Sequence, residues 1–203
     1  MTDVLVPPSS PPQAKAAFAV TPQSFPAHTV AVLADCHIHS GGGPDFTPAM
    51  LAAFEGVDLI VTLGDMGEAS GLDRLSQIAP VVGVSGADDS DDPRTAPAAR
   101  AIAIGDFVLG CVFDPVEAGL ATEKAPFVAA ADFETRMQAV FGGAVDALLF
   151  ASTHAPAIDT AGEVLLVNPG SATLPMGAED GMPGSFARLR FDDALGVDIV
   201  LLV

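Results

Sequence analysis

Four short polar stretches could do chemistry together. They are Asp35-Cys36-His37, Gly64-Asp65, Gly86-Ala87-Asp88-Asp89 and Ser152-Thr153-His154, and each follows an apolar run. Carboxylates beside imidazoles suit Mn, Fe, Zn or Ni better than Ca or Mg. Asp35 and His37 stand two residues apart, which puts both side chains on one side of an extended chain. Gly64 lets the backbone at Asp65 approach a bound ion closely. Each stretch alone has an ordinary explanation: a surface loop, a solvated carboxylate, a hydrogen-bonded structural histidine. A metal centre becomes the stronger reading when separate segments deliver all of them to one rim.

The elements that must position them follow from the apolar pattern. Residues 29–34, 57–63, 80–84 and 145–151 are short runs rich in Val, Leu and Ala. Buried parallel strands have this composition, and open α/β sheets carry their sites at the carboxyl ends of such strands. Thr47-Pro48 opens a helix through Phe54, with Thr as cap and Pro at the first helical position. Residues 70–78 form a second helix, and 132–141 a third with Phe133, Met137, Val140 and Phe141 on one face. Residues 101–104 and 107–112, split by Gly105-Asp106, form a hairpin. Residues 163–167 make a strand stopped by Asn168-Pro169-Gly170, and 186–191 with 197–203 close the chain as another hairpin. Residues 1–28 hold six prolines and are read as an arm, with 14–20 apolar enough to dock. The domain proper spans 29–203.

Composition narrows the function. The chain has 203 residues, half of them apolar, enough for a sizeable core. Its formal net charge is -18 with only eight Lys and Arg, so it lacks the cations that nucleic-acid binding requires. The same field repels anionic substrates, so a phosphate needs a local metal or placed cations. Trp and Tyr are absent, which disfavours a sugar or nucleobase platform. Cys36 and Cys111 make no disulfide framework and fit a reducing compartment. No apolar run reaches membrane-span length and no signal peptide is visible, so the expectation is a cytoplasmic protein without membrane partners.

The order D-x-H, G-D, G-x-x-D, T-H and then Asn168-Pro169-Gly170-Ser171, followed by Pro175, resembles the calcineurin-like metallophosphoesterase superfamily. The small bacterial and archaeal phosphodiesterase branch is the most similar, and the resemblance runs from about Thr29 to Val203. It implies an α/β fold of four αββα layers, two mostly mixed β-sheets packed face to face and flanked by helices. It also implies a two-metal site, with Asp35, His37, Asp65 and His154 holding the first ion and Asp65 bridging to the second.

The second ion's set departs from the family pattern. Ala87 stands where the pattern has Asn, Ser152 where it has the first His of G-H-x-H, and Cys111 is the nearest match to a mid-chain His. The remaining histidines are His28 and His39. One divalent ion per chain is therefore expected, with hydrolysis of a small phosphorylated substrate slowed by the loss of half the clamp. Asp88 or Asp89 with Cys111 as a thiolate could rebuild a second site; solvated acidic residues and a small buried thiol are the simpler reading. Arg94 could grip a phosphate or pair with its Asp neighbours. A catalytically silent binding or assembly scaffold is the alternative function, and a homo-oligomer is open.

Overall fold

The computed structural model describes residues 4–6 and 21–202. In chain order the strands are β1 (Val4–Val6), β2 (Gln23–Ser24), β3 (Thr29–Leu33), β4 (Leu59–Thr62), β5 (Val81–Gly83), β6 (Ala99–Ile104), β7 (Phe107–Val112), β8 (Ala121–Lys124), β9 (Phe127–Ala129), β10 (Ala147–Leu149), β11 (Pro156–Ala161), β12 (Val164–Pro169), β13 (Gly184–Phe191) and β14 (Leu195–Leu202). The helices are α1 (Pro48–Ala53), α2 (Ala69–Leu75) and α3 (Phe133–Phe141).

Two mixed six-stranded sheets result. One runs β1-β14-β13-β3-β4-β5 and the other β11-β12-β10-β7-β6-β2; β8 and β9 pair separately. Strand alternation sorts the side chains into three cores. Val30, Val32, Leu59, Val61, Leu109, Cys111, Leu149 and Val167 interleave between the sheets. Ala31, Leu33, Ile60 and Phe186 turn outward under Phe54 and under Leu72 and Leu75 of α2. Val108, Leu148 and Phe150 turn outward under Phe133, Met137 and Phe141 of α3. A strand buried on both faces is nearly continuously apolar, which is why β3, β4 and β10 show no polar alternation. The four-layer αββα arrangement follows directly.

Local signals behave as expected. The Thr47 hydroxyl accepts the Met50 N–H at 3.2 Å, with Pro at the start of α1. The helix over 132–141 begins at Phe133, with Asp132 in the left-handed conformation just before it. Within residues 1–28, β1 pairs antiparallel with β14 and β2 pairs parallel with β6. The apolar stretch 14–20 lies outside the described residues, as does Val203 at the end of the final hairpin. Among the described residues no helix is long and apolar enough to cross a membrane.

Candidate metal centre

The carboxyl ends of β3, β4 and β10 lie along one rim, and the loops after them interlock. Asp35 N–H donates to Gly64 O at 3.1 Å, His37 N–H to Asp65 O at 2.9 Å and Ile38 N–H to Met66 O at 3.0 Å. The D-x-H loop and the G-D loop thus continue the parallel ladder of β3 and β4 past the strands. The chain there is not extended. Asp35, His37, Asp65, Ser152 and His154 all take left-handed backbone, with φ of 52°, 49°, 49°, 66° and 56°. Among the described residues the only other non-glycine with positive φ is Asp132. Asp35 and His37 therefore share a side through two left-handed turns rather than through strand alternation. Such residues each cost about 1–3 kcal/mol, and they persist only where surroundings over-determine them.

The N-P-G-S turn does much of that determining. Asn168 is buried and donates through Nδ2 to Thr153 Oγ1 at 2.9 Å, while its Oδ1 accepts the Gly170 N–H at 2.9 Å. Ser171 Oγ donates to Asp35 O at 2.6 Å, and Thr173 Oγ1 to Cys36 O at 2.6 Å. One turn thereby grips the loop carrying Asp35 and the loop carrying His154. We expect Asn168→Ala to lower stability by about 2 kcal/mol, because it strands the buried Gly170 amide and removes the bond to the Thr153 hydroxyl. Chemical denaturation of the purified variant measures this.

His37 lies beside both His154 and Asp65, and Asp35 holds the loop that carries His154. His37 Nε2 and His154 Nε2 face one another at 3.4 Å, and His37 Nε2 lies 3.9 Å from Asp65 Oδ2. Asp35 has no solvent exposure, and its carboxylate oxygens accept the Ser152 and His154 amides, both at 3.3 Å. Burial pushes its carboxyl up to about 6, and Asp65 adds to the rise, while His154 and His37 partly oppose it. A cation beside it would favour the charged form.

Both imidazoles are fixed from behind. His37 Nδ1 lies 2.6 Å from Asp88 Oδ2, and His154 Nδ1 lies 2.6 Å from Leu174 O. A carboxylate and a carbonyl only accept, so each Nδ1 carries a proton, and in the neutral ring each Nε2 is left to ligate. Two Nε2 atoms at 3.4 Å are held together either by a shared proton or by a cation between them. Two nitrogens on one tetrahedral ion, each 2.0–2.1 Å from it, lie about 3.3 Å apart. The donor set therefore fits a borderline divalent ion.

Asp88 also accepts from His39 Nε2 at 2.9 Å, so His37, His39 and Asp88 form a second group whose donor atoms lie close enough for an ion. That use would require His37 Nδ1 as a ligand, in competition with its role as donor to Asp88. Asp88→Ala frees the His37 ring and should weaken metal affinity about 10–100-fold. Titration of the metal-free variant with Mn tests this.

Other candidate residues are otherwise engaged. Asp89 is occupied by the Met66, Gly67 and Gly86 amides at 2.6, 3.0 and 2.7 Å. Cys111 lies fully buried between the sheets, where burial pushes its thiol up to about 12, so it is no thiolate. Arg94 pairs with Asp92 and Asp73. Gly64 serves loop contact: a Cβ there would stand 2.6 Å from Gly86 N and 2.8 Å from Gly86 Cα. Asp114 and Lys124 went unnoticed in the sequence. Lys124 Nζ donates to Asp114 Oδ2 at 2.5 Å and to Ser152 Oγ at 2.9 Å, next to the site. A lysine closing a short polar strand leaves no motif to read.

A family model for the calcineurin-like phosphoesterase superfamily domain matches residues 29–194. This chain belongs to that superfamily. A probable metallophosphoesterase of Methanocaldococcus jannaschii is 30% identical over 146 residues, 72% of this chain and 69% of that protein. Among solved structures, Vps29 of Chaetomium thermophilum matches with a TM-score of 0.64 at 18% identity, over 86% of this chain and 97% of that one. Vps29 of Entamoeba histolytica complexed with zinc matches at 0.61 and 19%, over 86% and 99%. These likenesses show the phosphoesterase fold. Superfamily members use divalent metals, and a His/Asp group able to hold one is present here.

Proposed function

We propose that this phosphoesterase-superfamily chain is a metal-dependent phosphoesterase that works with one divalent ion held by Asp35, His37, Asp65 and His154. The observation that carries the reading is the pair of Nε2 atoms facing at 3.4 Å, each imidazole tied from behind through Nδ1, above the buried Asp35 carboxyl. When bound, such an ion lowers the pKa of water and takes up negative charge from a phosphate oxygen.

The chain's own residues do the rest. Asp88 and Leu174 O hold the two rings in the ligating tautomer, so little reorganisation accompanies binding. Asp35 and Asp65 supply two negative charges that offset a divalent ion. The same anionic pair makes the ion a weaker acid than three neutral imidazoles would, which supports slow turnover. Exposed Leu174 and Met176 flank His154 and suit an apolar leaving group. The alternatives for the second ion's ligands are occupied: Asp89 by amides, Cys111 by the core.

The test is metal-stimulated release from an aryl phosphodiester across Mn, Ni, Fe and Zn, together with metal content of protein purified without chelator. One ion per chain with stimulated release is the expected outcome. Zero release across all four metals leaves the scaffold reading, toward which the Vps29 likeness points.

A further inference from the structure

An acidic site that binds phosphate needs more positive charge than one ion provides. Asp35, Asp65, Asp88 and Asp89 all stand at this rim, and a divalent ion offsets only two carboxylates. Lys124 is the only lysine among the described residues. The hydrogen bonds of the arginines lead elsewhere: Arg74 to Asp45, Arg136 to Ala131 O and Gly119 O, and Arg188 to Ala53 O.

Lys124 instead reaches the rim. β7 and β10 are parallel neighbours, so Asp114 just beyond β7 and Ser152 just beyond β10 lie side by side. Ser152 Oγ donates to Asp114 Oδ2 at 3.2 Å and accepts from Lys124 Nζ. The Ser152 amide in turn holds Asp35 Oδ1. An ammonium has three donors, and these contacts use two. The Lys124 side chain is 36% exposed and Asp114 only 10%, so the unused donor is on the accessible member of the pair. Burial pushes the Asp114 carboxyl upward, but hydrogen bonds from Lys124 and the Val116 and Glu117 amides outweigh it and hold it low. Asp114 is therefore a fixed anionic anchor that aims the ammonium.

We infer that Lys124, positioned by Asp114 and Ser152, is a phosphate-binding residue that supplies the second positive centre of a one-metal site. This rests on the function proposed above. The phosphate oxygens would be shared between the ion and the ammonium, in place of two ions.

The experiment uses the full Mn-loaded chain, with orthophosphate as the probe in calorimetric titration and metal content measured in parallel. Lys124→Met should weaken orthophosphate binding by about tenfold or more while metal stays at one per chain. Lys124→Arg should keep affinity within about threefold. The Lys124→Met/Asp114→Asn double variant removes the uncompensated carboxylate and should remain weak. Recovery in the double variant would mean that Asp114 repulsion, not loss of the lysine, caused the defect, and would overturn the inference. Unchanged affinity in Lys124→Met would overturn it alone, with the hydrolase reading intact, whereas two ions per wild-type chain would overturn it together with the one-ion part of that reading. A wild-type chain that binds no metal would sink both.

Discussion

His154→Asn is expected to lose on the order of 10³-fold of metal-stimulated phosphodiester hydrolysis, and to be purified with little or no metal. The imidazole contributes one of two facing Nε2 donors, and the nearby His39 is engaged with Asp88 through its Nε2. Asn tolerates the left-handed backbone that His154 adopts, so the loop should keep its shape. The lost Nδ1 contact to Leu174 O costs about 1 kcal/mol of stability, too little to unfold the chain. A variant that melts about 2–4 °C below wild type, with absent metal and absent activity, is the expected combination. Retained activity at wild-type metal content would contradict the assignment of His154.

Gly64→Ala should be the most damaging small substitution at the site. Gly64 takes φ +100°, where an alanine is strained, and its new Cβ would meet backbone atoms of Gly86 at 2.6 and 2.8 Å. Backbone cannot swing aside as a long side chain can. The loops after β4 and β5 would have to separate, carrying Asp65 and Asp88 apart and breaking the 2.9 Å bond from the Asp88 amide to Asp65 Oδ1. A loss of about 3 kcal/mol is expected, which for a chain of this size lowers the melting temperature by about 6–12 °C. Thermal melts followed by circular dichroism give the number, and metal titration of the surviving folded fraction shows whether the site goes with it.

What the sequence made legible follows a physical line. β3, β4 and β10 are buried on both faces, so their composition alone marks them as strands, and their ends mark the rim. Asp35, His37, Asp65 and His154 were readable because each follows such a strand directly. The edge strand β11 was not readable: it is mostly exposed and begins at Pro156, so no apolar pattern was required of it. β8 ends in Glu123-Lys124 for the same reason, which hid the one lysine beside the site. Left-handed backbone at five site residues leaves no trace in residue type, since Asp, His and Ser serve many other conformations. The contact of Gly64 with the Gly86 loop was not readable, because close approach of loop to loop and of loop to ion call for the same residue.

Anomalous scattering from crystals soaked in Mn or Zn tests the central claim most directly. The account requires a single strong peak per chain between His37 Nε2 and His154 Nε2, within coordination distance of Asp35 and Asp65. A peak beside His37 Nδ1, His39 and Asp88 instead, or none at the facing imidazoles of fully loaded crystals, would contradict it.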